Sequence, residues 1–101
     1  MTAAVFSPQA SRDLLDAVRW IHKDNPTAAR GLRNAVVKAA SRIGAHPEAG
    51  MIRPEFADEP VRFMTLTGYP YVVVYDSSLR PPLVLRILHG ARDLPTVLRE
   101  P

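Results

Sequence analysis

The chain has 101 residues, 47% apolar and 23% charged, a length and balance that suit one globular domain, 1–101, and leave no room for a second. It contains no cysteine, which excludes disulfide frameworks, thiol nucleophiles and cysteine-held zinc or iron–sulfur centres. The formal net charge is +3, with 11 arginines against Lys23 and Lys38; guanidinium forks suit carboxylates and phosphates, so an acidic protein or a nucleic acid fits as a partner.

Thr2 to Phe6 reads as a short first strand. Ser7-Pro8 then opens a helix: the serine oxygen accepts from an orphan amide, and proline at the first helical position loses no hydrogen bond. Leu14, Ala17, Val18 and Ile21 recur at helical spacing as one apolar stripe. Asp13 and Asp16 read as a solvated face beside Arg12 and Arg19. Trp20, one residue from the stripe, reads as cover for the edge of the core, with a partner-binding anchor as the alternative. Asn25-Pro26 ends this helix near Asp24 and caps a second. There Ala29, Leu32, Val36, Ala39, Ala40 and Ile43 form the stripe, and Gly44 then Pro47 stop it.

A loop without clear period, His46 to Pro60, follows. Val61 to Leu66, Tyr71 to Asp76 and Leu83 to His89 are rich in β-branched and aromatic residues and are separated by turn chemistry. These spacings predict an antiparallel three-stranded meander. The fold class is therefore α+β, in the order β-α-α-β-β-β, with a helical hairpin on one face of a mainly antiparallel sheet. The tail from Asp93 to Pro101 has room for one helical turn. No basic region followed by an apolar run opens the chain, and no stretch is apolar enough to span a bilayer, so a cytoplasmic location is expected.

Few residues carry chemistry. His22, His46 and His89 fall on different predicted elements, so no metal site is expected, and the scattered glycines build no phosphate-cradling loop. No cofactor is expected. Strand alternation puts Arg86, Leu88, Gly90 and Arg92 on one face if no bulge intervenes, and Arg62 on the neighbouring meander strand is placed with them. With His89 as proton shuttle, this group has the chemistry to bind and polarise a phosphodiester. The alternative pairs Arg92 with Asp93 or Asp58 and makes His89 a strand-end core residue; the residues alone favour it, because structural ion pairs outnumber catalytic ones.

The segments HPEAGMIRPEF (46–56), VRFMTLTGYPYVVVYD (61–76) and RILHGARDL (86–94), in this order after a helical hairpin, resemble the ParE/RelE toxins of type II toxin–antitoxin systems. The resemblance covers nearly the whole chain and implies two activities on one fold, with a non-toxic binding module in an autoregulatory complex as a third reading. RelE-like members cut mRNA in the ribosome with basic residues and often a tyrosine just past the last strand. Leu94 stands at that place here, and Arg53 is the only basic side chain between His46 and Pro60. ParE-like members are implied to poison DNA gyrase without a hydrolytic site, and the HGARDL ending is closer to them. Target contacts are placed at Arg62, Arg86, His89 and Arg92, because the last strand and its end spend polar groups without an evident structural need, and antitoxin contacts at Trp20 and Arg53. The resemblance further implies an acidic, ParD-like or RelB-like antitoxin that folds into an apolar groove between hairpin and sheet. Sequence-specific nucleic-acid binding by the toxin alone is not expected.

Overall fold

The computed structural model describes residues 2–94. Its elements are β1 (Val5–Phe6), α1 (Pro8–His22), α2 (Pro26–Ala45), β2 (Val61–Thr65), β3 (Tyr71–Asp76) and β4 (Leu83–His89). The sheet runs β1-β4-β3-β2; β1 is parallel to β4, and the other pairs are antiparallel. The expected α+β architecture is present as a mixed sheet with the helical hairpin on one face. The tail beyond Leu94 lies outside the described residues.

Local chemistry explains the boundaries. The Ser7 hydroxyl accepts from the Ala10 amide at 3.0 Å, and the Asn25 side-chain oxygen accepts from the Ala28 amide at 3.0 Å, so each helix starts on a capping residue followed by proline. The first strand is shorter than Thr2–Phe6 because the Ala4 amide donates to the Ala40 carbonyl of α2, which takes the chain off the sheet. Gly44 does not stop α2; the helix runs on to Ala45. Its missing side chain instead makes room for the N-terminal segment, because a Cβ there would collide with the Thr2 carbonyl oxygen and press on Ala3 Cα. In the turn between β2 and β3, Gly68 has φ +85°, a conformation that favours glycine.

Both faces of the sheet are covered. Leu32, Val36 and Ile43 of α2, with Ala10 and Ala17 of α1, pack on Val73, Tyr75, Val84 and Ile87. On the far face Phe63, Val72, Val74 and Leu88 are buried under Phe56 and Ala57 of the 46–60 segment and under Leu94. The face of the sheet away from the hairpin is thus a second, smaller core. The first five residues of β3 are all buried, as expected of a strand enclosed on two faces.

Candidate functional site

The predicted basic group is divided by the sheet itself. The register slips by one residue at Leu85: Tyr75 pairs with Val84 and Val74 with Arg86. Arg86 and Leu88 then face the second core side through their partners Val74 and Val72, whereas Arg62 pairs with Tyr75, a residue of the first core. Gly90 and Arg92 lie past the end of β4, in a turn, so strand alternation does not place them.

Arg86 is bound to the first helix. Its Nε and one terminal nitrogen reach the Asp13 carboxylate at 2.8 and 3.1 Å, and the Ile87 amide donates to the same carboxylate at 3.0 Å. Asp13 is therefore not a solvated partner of Arg12; its side chain is only 17% exposed. Beyond Val84, β4 has no strand at its outer side, and α1 takes that place. The Ser7 hydroxyl donates to the Leu85 carbonyl at 2.9 Å, so cap and carboxylate together satisfy the outer carbonyl of Leu85 and the outer amide of Ile87. The hydrogen bonds to Asp13 raise the Arg86 pKa further, against the opposing effect of burial.

At the end of β4 the chain closes a small ring. The His89 amide donates to the Asp93 carboxylate at 2.9 Å, and the Asp93 amide returns to the His89 carbonyl at 2.8 Å. The Arg92 amide donates to His89 Nδ1 at 3.2 Å, and the Arg92 guanidinium is on Asp93 at 2.9 Å. The Arg92 guanidinium, then the amide of His89, holds the Asp93 carboxyl below its usual range, although burial pushes the other way. The imidazole meets the Tyr71 ring edge-on, with centroids 5.5 Å apart. Leu94 follows directly and is 2% exposed.

Arg62 has a different task. A terminal nitrogen donates to the carbonyls of Gly50 and Glu48 at 2.9 and 3.3 Å. The Tyr75 hydroxyl donates to the Pro47 carbonyl at 2.7 Å and accepts from the Gly50 amide at 2.8 Å. Burial pushes the Tyr75 hydroxyl above its ordinary pKa. Together the two side chains fasten the start of the 46–60 segment to the sheet. Arg53 lies over the rings of Phe56 and Phe63, 4.7 and 5.9 Å from their centroids. Trp20 does not cover the core: it is 67% exposed, with Lys23 over its ring.

Two of the concave regions among the described residues flank the edges of the sheet. One, of about 260 Å³, lies between α1 and the ring at the end of β4 and is lined by Asp13, Asp16, Trp20, Tyr71, Arg92 and Asp93, among others. The other is a groove of two adjoining hollows, about 490 and 530 Å³, which share Arg42, Met64, Thr65 and Thr67. Lys38 and Arg42 of α2 stand on one side of it and Met51 and Arg53 on the other. No described carboxylate lines either hollow. The groove's floor is the edge strand β2. There Phe63 turns its N–H and C=O outward to Met51, both bonds 2.8 Å. Two residues on, Thr65 has the same orientation, and among the described residues nothing outside the sheet pairs with it.

Sequence reasoning missed the role of Asp13 and the cationic lining of the groove, where the resemblance implied an apolar one. Asp13 and Arg86 are 73 residues apart, beyond any local pattern. The groove depends on β2 being an edge strand, which the sequence does not declare. Among the described residues no cluster of His, Asp and Glu has the arrangement of a metal site. No described helix is long and apolar enough to cross a membrane.

Comparison with known proteins adds family and fold. The family described as the ParE toxin of type II toxin-antitoxin system, parDE, matches residues 4–94. Among solved structures, the chain is similar to one from the chromosomal ParDE TA system from P. aeruginosa. The TM-score is 0.73 at 20% identity, covering 88% of this chain and 96% of that one. At that identity the likeness is one of fold. No curated protein matches the sequence.

Proposed function

The chain belongs to the ParE toxin family of type II toxin–antitoxin systems, and from that membership we propose that it acts as a gyrase poison. It binds DNA gyrase and holds it where cleaved DNA is not resealed, which blocks replication. A cognate acidic antitoxin neutralises it. The action is binding, not turnover.

One observation carries the choice of gyrase over RNA cleavage: the side chains a hydrolytic site would use are already committed. Arg86 is held by Asp13, Arg92 by Asp93, and His89 Nδ1 by the Arg92 amide. At the position where the nuclease branch is implied to carry a tyrosine, Leu94 is buried among Phe63, Val72, Val74 and Leu88. It has no proton to give and no access to a substrate. Of the proposed target contacts Arg62, Arg86, His89 and Arg92, Arg92 offers the most surface, its side chain being 63% exposed. Trp20 and Arg53 remain the proposed antitoxin contacts. The exposed Trp20 ring supports its part, since a large aromatic left in water is a common anchor for a partner.

Purified, antitoxin-free protein added to gyrase tests this reading. Loss of supercoiling with accumulation of cleaved plasmid is expected. Unaffected gyrase, together with transcript cleavage that disappears in His89→Ala, would replace it with ribosome-dependent RNA cleavage.

A further inference from the structure

The second helix carries charge of one sign on one side. Its 20 residues include Arg30, Arg33, Lys38 and Arg42 and no aspartate or glutamate. Leu32, Val36 and Ile43 of its apolar stripe pack on the sheet, which leaves all four cations exposed on the outer side. At about 100° and 1.5 Å per residue they spread over roughly half the circumference of the helix and about 18 Å of its axis. None forms an ion pair among the described residues, and the acids nearest in sequence, Asp24 and Glu48, lie beyond the two ends of the helix. Exposed Asn34 and Ser41 stand between the cations and add neutral hydrogen-bond donors. The large apolar side chain on this side is Val37, 55% exposed, too little for the apolar centre around which a protein interface is built. The helix has no aromatic residue, so it offers no platform on which an unpaired base would stack.

We infer that the exposed face of α2 binds the phosphate backbone of duplex DNA without reading its sequence. About 18 Å of duplex axis presents about five phosphates of one strand, so each of the four cations has a phosphate within its span. The three guanidiniums meet phosphate oxygens through paired N–H donors, and the Lys38 ammonium acts as a point charge. Such contacts hold a protein on DNA but carry no sequence information. The choice of a DNA over an RNA duplex rests on the gyrase reading, in which the protein acts where DNA is held and cut; the charge of the face stands without it. None of the residues proposed to contact gyrase belongs to α2, so the grip on DNA and the contact with the enzyme use different side chains.

The experiment uses the full chain, free of antitoxin, and short fluorescent DNA duplexes of two unrelated sequences, with binding read by anisotropy over a series of salt concentrations. Both duplexes are expected to bind alike, with a Kd on the order of micromolar at low salt, and log K should fall with log salt at a slope of about −3 to −4, as four phosphate contacts require. The double variant Arg30→Gln/Arg33→Gln should make that slope shallower by about 2 and weaken binding about tenfold or more, and Lys38→Gln alone should make it shallower by about 1. The double variant Arg12→Gln/Arg19→Gln removes the same charge from the exposed side of α1 and should bind like the parent. All these side chains are exposed, so melting curves should coincide. An equal loss in the α1 variant would reduce the effect to net charge and overturn the inference. So would strong preference for one duplex sequence, tighter binding of a single strand or of an RNA duplex, or no binding at low salt. Polyglutamate that binds more tightly than the duplex would give the face to an acidic protein and overturn it too. The gyrase reading is judged separately: poisoned gyrase without DNA binding by the toxin removes only this inference, and DNA binding with unaffected gyrase removes only that reading.

Discussion

Along the outer side of β4 the chain supplies most of the backbone partners itself, with β1 at Leu83 and Val84, the Ser7 hydroxyl at the Leu85 carbonyl and the Asp13 carboxylate at the Ile87 amide. Along the outer side of β2 it supplies a single bridge at Met51 and then turns away. The two edges also differ in charge. The concavity beside β4 is lined by three aspartates, two of them bound to arginines, whereas the groove beside β2 is lined by lysine and arginine. An exposed strand edge invites unwanted pairing, and proteins either cover it or guard it with charge. This chain does one at each end of its sheet. The comparison separates residues that keep the fold from residues left free to meet something else.

Breaking the closed edge should cost the most. Asp13→Ala leaves a largely buried guanidinium and the Ile87 amide without their acceptor; we expect a loss of about 2–3 kcal/mol in chemical denaturation. Adding Arg86→Met should restore part of that loss, because the orphaned charge is removed, and a double-mutant cycle measures the coupling. Gly44→Ala presses on the same edge from behind. Its new Cβ meets the Thr2 carbonyl and Ala3, so the segment leading into β1 must move, at about 1–2 kcal/mol.

Asp93→Asn should cost about 1 kcal/mol, since the Arg92 partner is mostly solvated while the His89 amide contact is better shielded. Its pH dependence has a definite sign. The folded carboxyl titrates below its unfolded value of about 4, so its contribution is present above that pH and is lost as the pH falls through the folded pKa. Stability curves of parent and variant should therefore converge on acidification below about pH 4. On the open edge the expected effect is smallest: Thr65→Pro should change stability by less than about 1 kcal/mol. A cooperative collapse of that variant would mean that β2 is not free, and the contrast between the edges would fail.

What the sequence discloses follows the range of the forces involved. The caps at Ser7 and Asn25, the turn at Gly68 and the bounds of β3 and β4 were legible because each is decided within a few residues. Trp20 was misread because one position along a helix is a rotation of about 100°, enough to move a ring from the core edge to water. The role of Asp13 and the cover that Phe56 and Leu94 give the far face depend on contacts across the whole chain. So does the slip at Leu85, which separates Arg86 from Arg62. The predicted site residues were individually visible, but their partners were not, and the partners decide what an arginine is free to do.

The pairing of Asp13 with Arg86 also sets an order in time. A ribosome delivers α1 well before β4, so the first helix has neither its ion pair nor the strand it covers until residues 85–87 have emerged. Until then β3 lacks its central neighbour and the nascent chain presents unfinished surface. Closure of this sheet thus waits on a strand made long after the helix that covers it, and the early elements spend that interval without their final neighbours.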